Sequence, residues 1–102
     1  MSIVIVATAR PLPEHRDEVI AAFEKAIPLV HGEAGCEKYA LHEAPDRLVM
    51  IERWADGEAT KGHVAGEPFK ELAAVLEGKL AAELEILVLS PHPAGSAEQG
   101  EL

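Results

Sequence analysis

The feature that most constrains this chain is the order of its hydrophobic patterns. Residues 3–9 form a short apolar run rich in β-branched side chains, which reads as a buried strand. Pro11 and Pro13 end it. Residues 13–31 then carry Val19, Ala22, Phe23, Ala26, Ile27 and Val30 at helical spacing, so they make one apolar helix face. Glu14, Asp17 and Glu18 place negative charge at the start of this helix, where the backbone dipole favours it. Pro28 removes a backbone donor and predicts a kink in the last turn.

Residues 36–42 predict a second strand, with Cys36, Lys38, Ala40 and His42 on one face and Glu37, Tyr39 and Leu41 on the other. The turn Glu43-Ala44-Pro45-Asp46 joins it to a third strand over residues 47–54, and so short a connection implies an antiparallel hairpin. Asp56 is placed to cap a short helix over residues 57–64, which Gly62 weakens. A further helix starts at Glu67-Pro68 and sets Phe69, Leu72, Ala73, Leu76 and Leu80 on its apolar face. From Ala81 the pattern shifts to a strand, with Leu84, Ile86 and Val88 opposed to Glu85, Leu87 and Leu89.

The order is therefore β-α-β-β-α-β, an α+β arrangement of ferredoxin-like type with an antiparallel sheet. Residues 1–91 read as one such domain and residues 92–102, rich in Pro, Gly, Ser and Glu, as a flexible tail. A sheet of this kind has helices on one face only. Its other face would here be apolar, and a second copy packed against it would cover it, which predicts a homodimer.

Composition excludes several classes. The chain is 48% hydrophobic, too much for a disordered acidic segment. Its formal net charge is −9, with no Lys/Arg run, so it lacks the basic footprint that nucleic acid or an anionic membrane surface would require. The single cysteine, Cys36, rules out an internal disulfide and suits a reducing cytoplasm. No basic segment precedes the first apolar run, and no run has the length of a membrane span. The spacing of His31, Cys36 and His42 fits no zinc site, so no metal is expected, and no Gly-rich dinucleotide fingerprint occurs.

Three blocks carry a resemblance. The stretch His31-Gly32-Glu33-Ala34-Gly35-Cys36-Glu37-Lys38-Tyr39 contains Glu-x-Gly-Cys-x-x-Tyr, Val49-Met50-Ile51-Glu52-Arg53-Trp54 is an apolar run closing on Glu-x-Trp, and His63 follows nine residues after that Trp. With Phe23-Glu24-Lys25-Ala26-Ile27-Pro28 and the exit Leu87-Val88-Leu89-Ser90-Pro91, these blocks resemble the antibiotic biosynthesis monooxygenase family, in its quinol monooxygenase-like branch. The likeness implies a dimeric α+β barrel, cytoplasmic, that binds an aromatic ligand between sheet and helices. It further implies oxidation of a quinol or phenol by dioxygen without metal, haem or flavin. Haem-degrading relatives share the fold but use an Asn in the first strand and a later helical His. This chain has no Asn, and Ala73 stands near the place of that His.

Each site candidate carries two readings. Trp54 is either a wall for a flat aromatic substrate or a core residue. His63 is either the acceptor of a phenolic proton or a helix histidine bonded across the structure. Tyr39 is either a donor to a quinol oxygen or a cross-strand packing residue with its hydroxyl at the rim. His42 is either a second pocket base or exposed near the hairpin turn, and exposure is the expectation. Glu52 would orient His63 or pair with Lys38 or Arg10, because a lone buried carboxylate is costly. Arg53 is placed to pair across a dimer, His31 to complement a helix end, and Cys36 to act as a small buried hydrophobe. The same pocket would also serve a protein that sequesters an aromatic without oxidising it, or an isomerase or lyase working by proton transfer.

Overall fold

The structure is a computed structural model and describes residues 2–102. Four strands form one antiparallel sheet: β1 (Ile3–Ala9), β2 (Cys36–Ala44), β3 (Arg47–Trp54) and β4 (Glu85–Leu89), in the order β2-β3-β1-β4. Helix α1 (Arg16–His31) joins β1 to β2. Helices α2 (Gly57–Ala65) and α3 (Glu67–Leu76) join β3 to β4. The predicted order of elements is that of the ferredoxin-like fold.

The inner face of the sheet is set by ladder register. Opposed pairs Ile5–Glu52, Ala7–Met50 and Ala9–Leu48 share one side, because residues facing each other in an antiparallel pair point the same way. Strand β3 alternates strictly, with Leu48, Met50, Glu52 and Trp54 buried. Helix α1 covers this face with Val19, Phe23, Ala26 and Val30. Full burial of side chains such as Leu48 and Val19 contributes about 1.5–3 kcal/mol each.

Three local departures from the sequence pattern have physical causes. The first helix is split: Pro13–His15 forms one 3-10 turn and α1 starts at Arg16. It then runs through Pro28 to His31. In β2 a bulge falls between Cys36 and Lys38, so that Cys36 opposes Trp54 while Tyr39 opposes Glu52. The extra residue, Glu37, reverses the expected parity. Cys36 shares the inner face with Tyr39 and Leu41, and Lys38, Ala40 and His42 lie outside. Helix α3 ends at Leu76, short of Leu80. Gly78 then turns the chain with φ +78°, Leu80 bridges Pro11, and β4 begins only at Glu85. Within the C-terminal stretch a helical turn, Ala97–Gly100, is capped by Ser96.

The outer face carries Val6, Val49, Ile51, Leu87 and Leu89, on the side of the sheet opposite the core that α1 and α3 cover. Leu87 and Leu89 are exposed there. Among the described residues, no helix is long and apolar enough to cross a membrane.

Candidate functional site

Three of the candidate residues end up side by side because β3 and α2 are consecutive. Glu52 and Trp54 are two residues apart on the inner side of β3. The Trp54 indole N–H donates to Oε1 of Glu52 at 2.8 Å. Asp56 caps α2 by accepting from the Ala59 N–H, and this fixes the direction in which the helix leaves the strand. Two turns on, His63 points back at the sheet. It is the only buried residue of α2.

The His63 ring lies over Trp54, with centroids 4.6 Å apart and planes inclined by 31°. Tyr39 meets His63 edge-on at 5.4 Å, and Phe69 from α3 does the same at 5.3 Å. The result is an imidazole enclosed by three aromatic rings in a chain that is only 4% aromatic. Such edge and tilted contacts are favourable beyond their area, by about 0.5–1.5 kcal/mol each.

Glu33, in the turn between α1 and β2, completes the cluster. Its Oε1 lies 2.7 Å from Nδ1 of His63. Gly35 makes the approach possible. It adopts φ +79°, and a Cβ there would collide with the Cβ of Ala59 on α2. The turn therefore presses directly against the helix that carries His63.

Burial shapes the chemistry of these groups. Burial is the main cause that raises the Glu52 carboxyl above the ordinary carboxylate range, with the Trp54 indole and His63 opposing it. The Tyr39 phenol is pushed well above its usual value, first by burial and then by the charges of Glu52 and Glu33. The Cys36 thiol is also raised, by burial and then by Glu33 and Glu52, which disfavours a thiolate nucleophile.

The other candidates fall elsewhere. His42 opposes Val49 on the outer face, exposed, with Nδ1 3.1 Å from the Ala40 carbonyl oxygen. The sheet separates it from His63. Glu52 pairs neither with Lys38 nor with Arg10, which instead meets Glu85 at 3.0 Å. Nor does Glu52 orient His63 by a hydrogen bond; Glu33 makes that contact. Arg53 donates to Glu37 at 2.9 Å within the chain. His31 is bonded through Nε2 to the Tyr39 carbonyl oxygen at 3.0 Å.

Two cavities flank α2. One, of about 450 Å³, is an apolar groove between the inner sheet face and the helix, lined by Ile3, Ile5, Val64, Ile86 and Val88 with Lys61. Ile3 and Ile5 oppose Trp54 and Glu52, so the groove lies one strand over from the aromatic cluster, roughly 5 Å away. The other, of about 460 Å³, is an acidic cleft lined by Glu33, Asp56, Glu58, Ala59 and His63. Trp54 is fully buried and His63 is 5% exposed, so the rings fill the space between the cavities. Among the described residues, no three His, Cys, Asp or Glu side chains are grouped to hold a metal ion.

Residues 2–75 match the family described as antibiotic biosynthesis monooxygenase. This chain belongs to that family. The chain is 28% identical to Escherichia coli strain K12 YgiN, named a probable quinol monooxygenase, over 89% of this chain and 97% of that protein. Its fold superimposes on that of Rv0793 from Mycobacterium tuberculosis with a TM-score of 0.88 at 24% identity, covering 94% of this chain and 100% of the other. A conserved protein of Methanosarcina mazei Go1 aligns with a TM-score of 0.83 at 28% identity, over 87% and 91% of the two chains. The family match takes in all the residues of the aromatic cluster, from Glu33 to Phe69. Sequence reasoning named Trp54, His63, Tyr39 and Glu52 but gave no site role to Glu33 or Phe69. The signal for Glu33 was present, since it opens the Glu-x-Gly-Cys block; nothing in local spacing linked it to a histidine thirty residues on.

Proposed function

We propose that this protein is a cofactor-independent monooxygenase that oxidises a quinol or related phenol with dioxygen. The observation that carries the reading is His63, stacked on Trp54 and bonded through one ring nitrogen, beside an apolar groove large enough for an aromatic ring. Membership of the family and the naming of YgiN support the same reading.

His63 takes a hydroxyl proton from the ring of the substrate, and Trp54 supplies the flat contact. The resulting phenolate is electron-rich and passes one electron to dioxygen. The two radicals combine at a ring carbon, and loss of water leaves the oxidised ring. A quinol and dioxygen thus give a hydroxyquinone and water. Glu52 anchors the Trp54 indole by accepting its N–H, and Tyr39 donates a hydrogen bond to a ligand oxygen from the neighbouring strand. The apolar walls exclude water from the radical pair. Because Trp54 and His63 are packed shut, ring binding displaces side chains of α2 from the sheet. His42, on the outer face, has no part in this scheme.

The working unit in this reading is a cytoplasmic homodimer, closed by the apolar outer face of Val6, Val49, Ile51, Leu87 and Leu89 into a barrel. Sedimentation is expected to give twice the mass of the chain; a monomer at micromolar concentration would contradict it.

The test of the reaction is dioxygen uptake by metal-free protein given a panel of reduced quinols. Uptake above the autoxidation blank, lost in His63→Gln, is the expected result. Tight binding of the same compounds without uptake would favour a sequestering protein, a reading that the closed packing of Trp54 and His63 also fits. An unchanged product mass would favour an isomerase.

A further inference from the structure

We propose that Glu33 is the positioning residue of His63: it fixes the imidazole in the tautomer with the proton on Nδ1, leaving Nε2 as the proton acceptor. The inference rests on the reading above for its role in turnover, but the tautomer itself does not.

The geometry is built from three sides. The backbone of Glu33 is held in the turn after α1, its N–H donating to Val30 O at 2.9 Å and its carbonyl accepting from the Cys36 N–H at 3.2 Å. Its side chain is 18% exposed and faces a buried imidazole. Its second oxygen is seated against Gly66, between α2 and α3, where an added Cβ would stand 2.9 Å from Oε2. A side chain at position 66 would therefore push the carboxylate aside.

An ionised carboxylate has lone pairs and no proton to give. At 2.7 Å from it, Nδ1 must be the donor, so neutral His63 carries its lone pair on Nε2. Nε2 has no hydrogen-bond partner, and no fully buried side-chain nitrogen or oxygen among the described residues lacks one. Nε2 therefore keeps some access to its surroundings. When Nε2 takes a substrate proton, the hydroxyl O–H bond breaks, the electron pair stays on oxygen, and the new imidazolium faces the Glu33 carboxylate. The imidazolium then returns that proton from Nε2 to the peroxide oxygen that departs as water, and Nδ1–H stays with Glu33. Glu52 accepts from the Trp54 indole and makes no hydrogen bond to His63, which leaves Nδ1 to Glu33.

The experiment is long-range ¹⁵N–¹H correlation of the histidine rings in ¹⁵N-labelled, substrate-free protein, at a pH where imidazoles are neutral. The His63 signals are assigned by their loss in His63→Gln. The expected result is a protonated Nδ1 and a lone-pair Nε2 in the unaltered chain, shifting toward the ordinary Nε2–H form in Glu33→Ala. Gly66→Ala should shift the tautomer in the same direction with both side chains of the pair unaltered, by crowding the carboxylate. A protonated Nε2 in the unaltered chain overturns the inference, and so does a tautomer unchanged in both variants. Dioxygen uptake then reads the consequence: Glu33→Ala is expected to lose about 10²-fold in kcat with little change in KM. A KM effect with kcat intact would overturn the positioning role. Absence of uptake in the unaltered chain would defeat the proposed reaction while leaving the tautomer result to stand.

Discussion

The inner face of the sheet is built from two different materials. Around Leu48 and Met50, which share the core with Val19 and Phe23 of α1, it is apolar. Beneath α2, a few residues further along β3, the same buried alternation delivers Glu52 and Trp54 to His63, Tyr39 and Glu33. The first region can only hold the fold together. The second buries charge-bearing groups at a cost that a purely structural patch would avoid by using apolar side chains. Residues kept in spite of such a cost mark the region where chemistry is to be sought.

The contrast can be broken most strongly at Leu48. Leu48→Ala removes a fully buried side chain and should cost about 2–5 kcal/mol in urea unfolding, while the His63 tautomer stays as it was. Next comes Gly35→Ala, which combines a positive φ with a collision against Ala59. It should cost about 1–3 kcal/mol and, unlike Leu48→Ala, should also separate Glu33 from His63. Met50→Leu conserves volume in the apolar half and should stay below about 1.5 kcal/mol, with dioxygen uptake unchanged.

The least change in overall stability, and the most telling in kind, is expected from Glu52→Gln. Glu52 is raised in the folded chain above its ordinary value of 4.5. Between that value and the higher folded one, the folded state holds more protons than the unfolded state. Stability must therefore fall as pH rises through this window. Below the window both states are protonated and the penalty is absent; above it the penalty is complete. Thermal unfolding of Glu52→Gln should lose that part of the slope and gain stability at neutral pH. An identical pH profile in the two proteins would mean that Glu52 carries no burial penalty.

How much of this was legible in sequence follows the same division. The apolar half was readable because periodicity reports burial directly: the helical spacing of Val19, Phe23 and Val30 and the strand over residues 47–54 both fell where expected, although the buried face of that strand was not assigned. In strand β2 the faces from Lys38 to His42 were read correctly, and Cys36 was not. A bulge adds a residue without any mark in hydrophobicity, so Cys36 was grouped with His42 when it sits beside Trp54. The start of β4 was placed too early because residues 81–84 look strand-like, whereas the chain spends them reaching the far end of β1. Trp54, the one Trp, and His63, nine residues after it, were singled out by their pattern, and the structure places their rings side by side. The Glu33–His63 contact was not, because it depends on the turn at Gly35 docking against α2, a tertiary event without a local signature.

The central claim, that this aromatic cluster serves oxygenation, is tested most directly by a single turnover under ¹⁸O₂ with a reduced quinol and metal-free protein. The account predicts a product carrying one labelled oxygen on the ring, the second label appearing in water, and no labelled product from His63→Gln. A quinone formed with no label, or a product of unchanged mass, would contradict it.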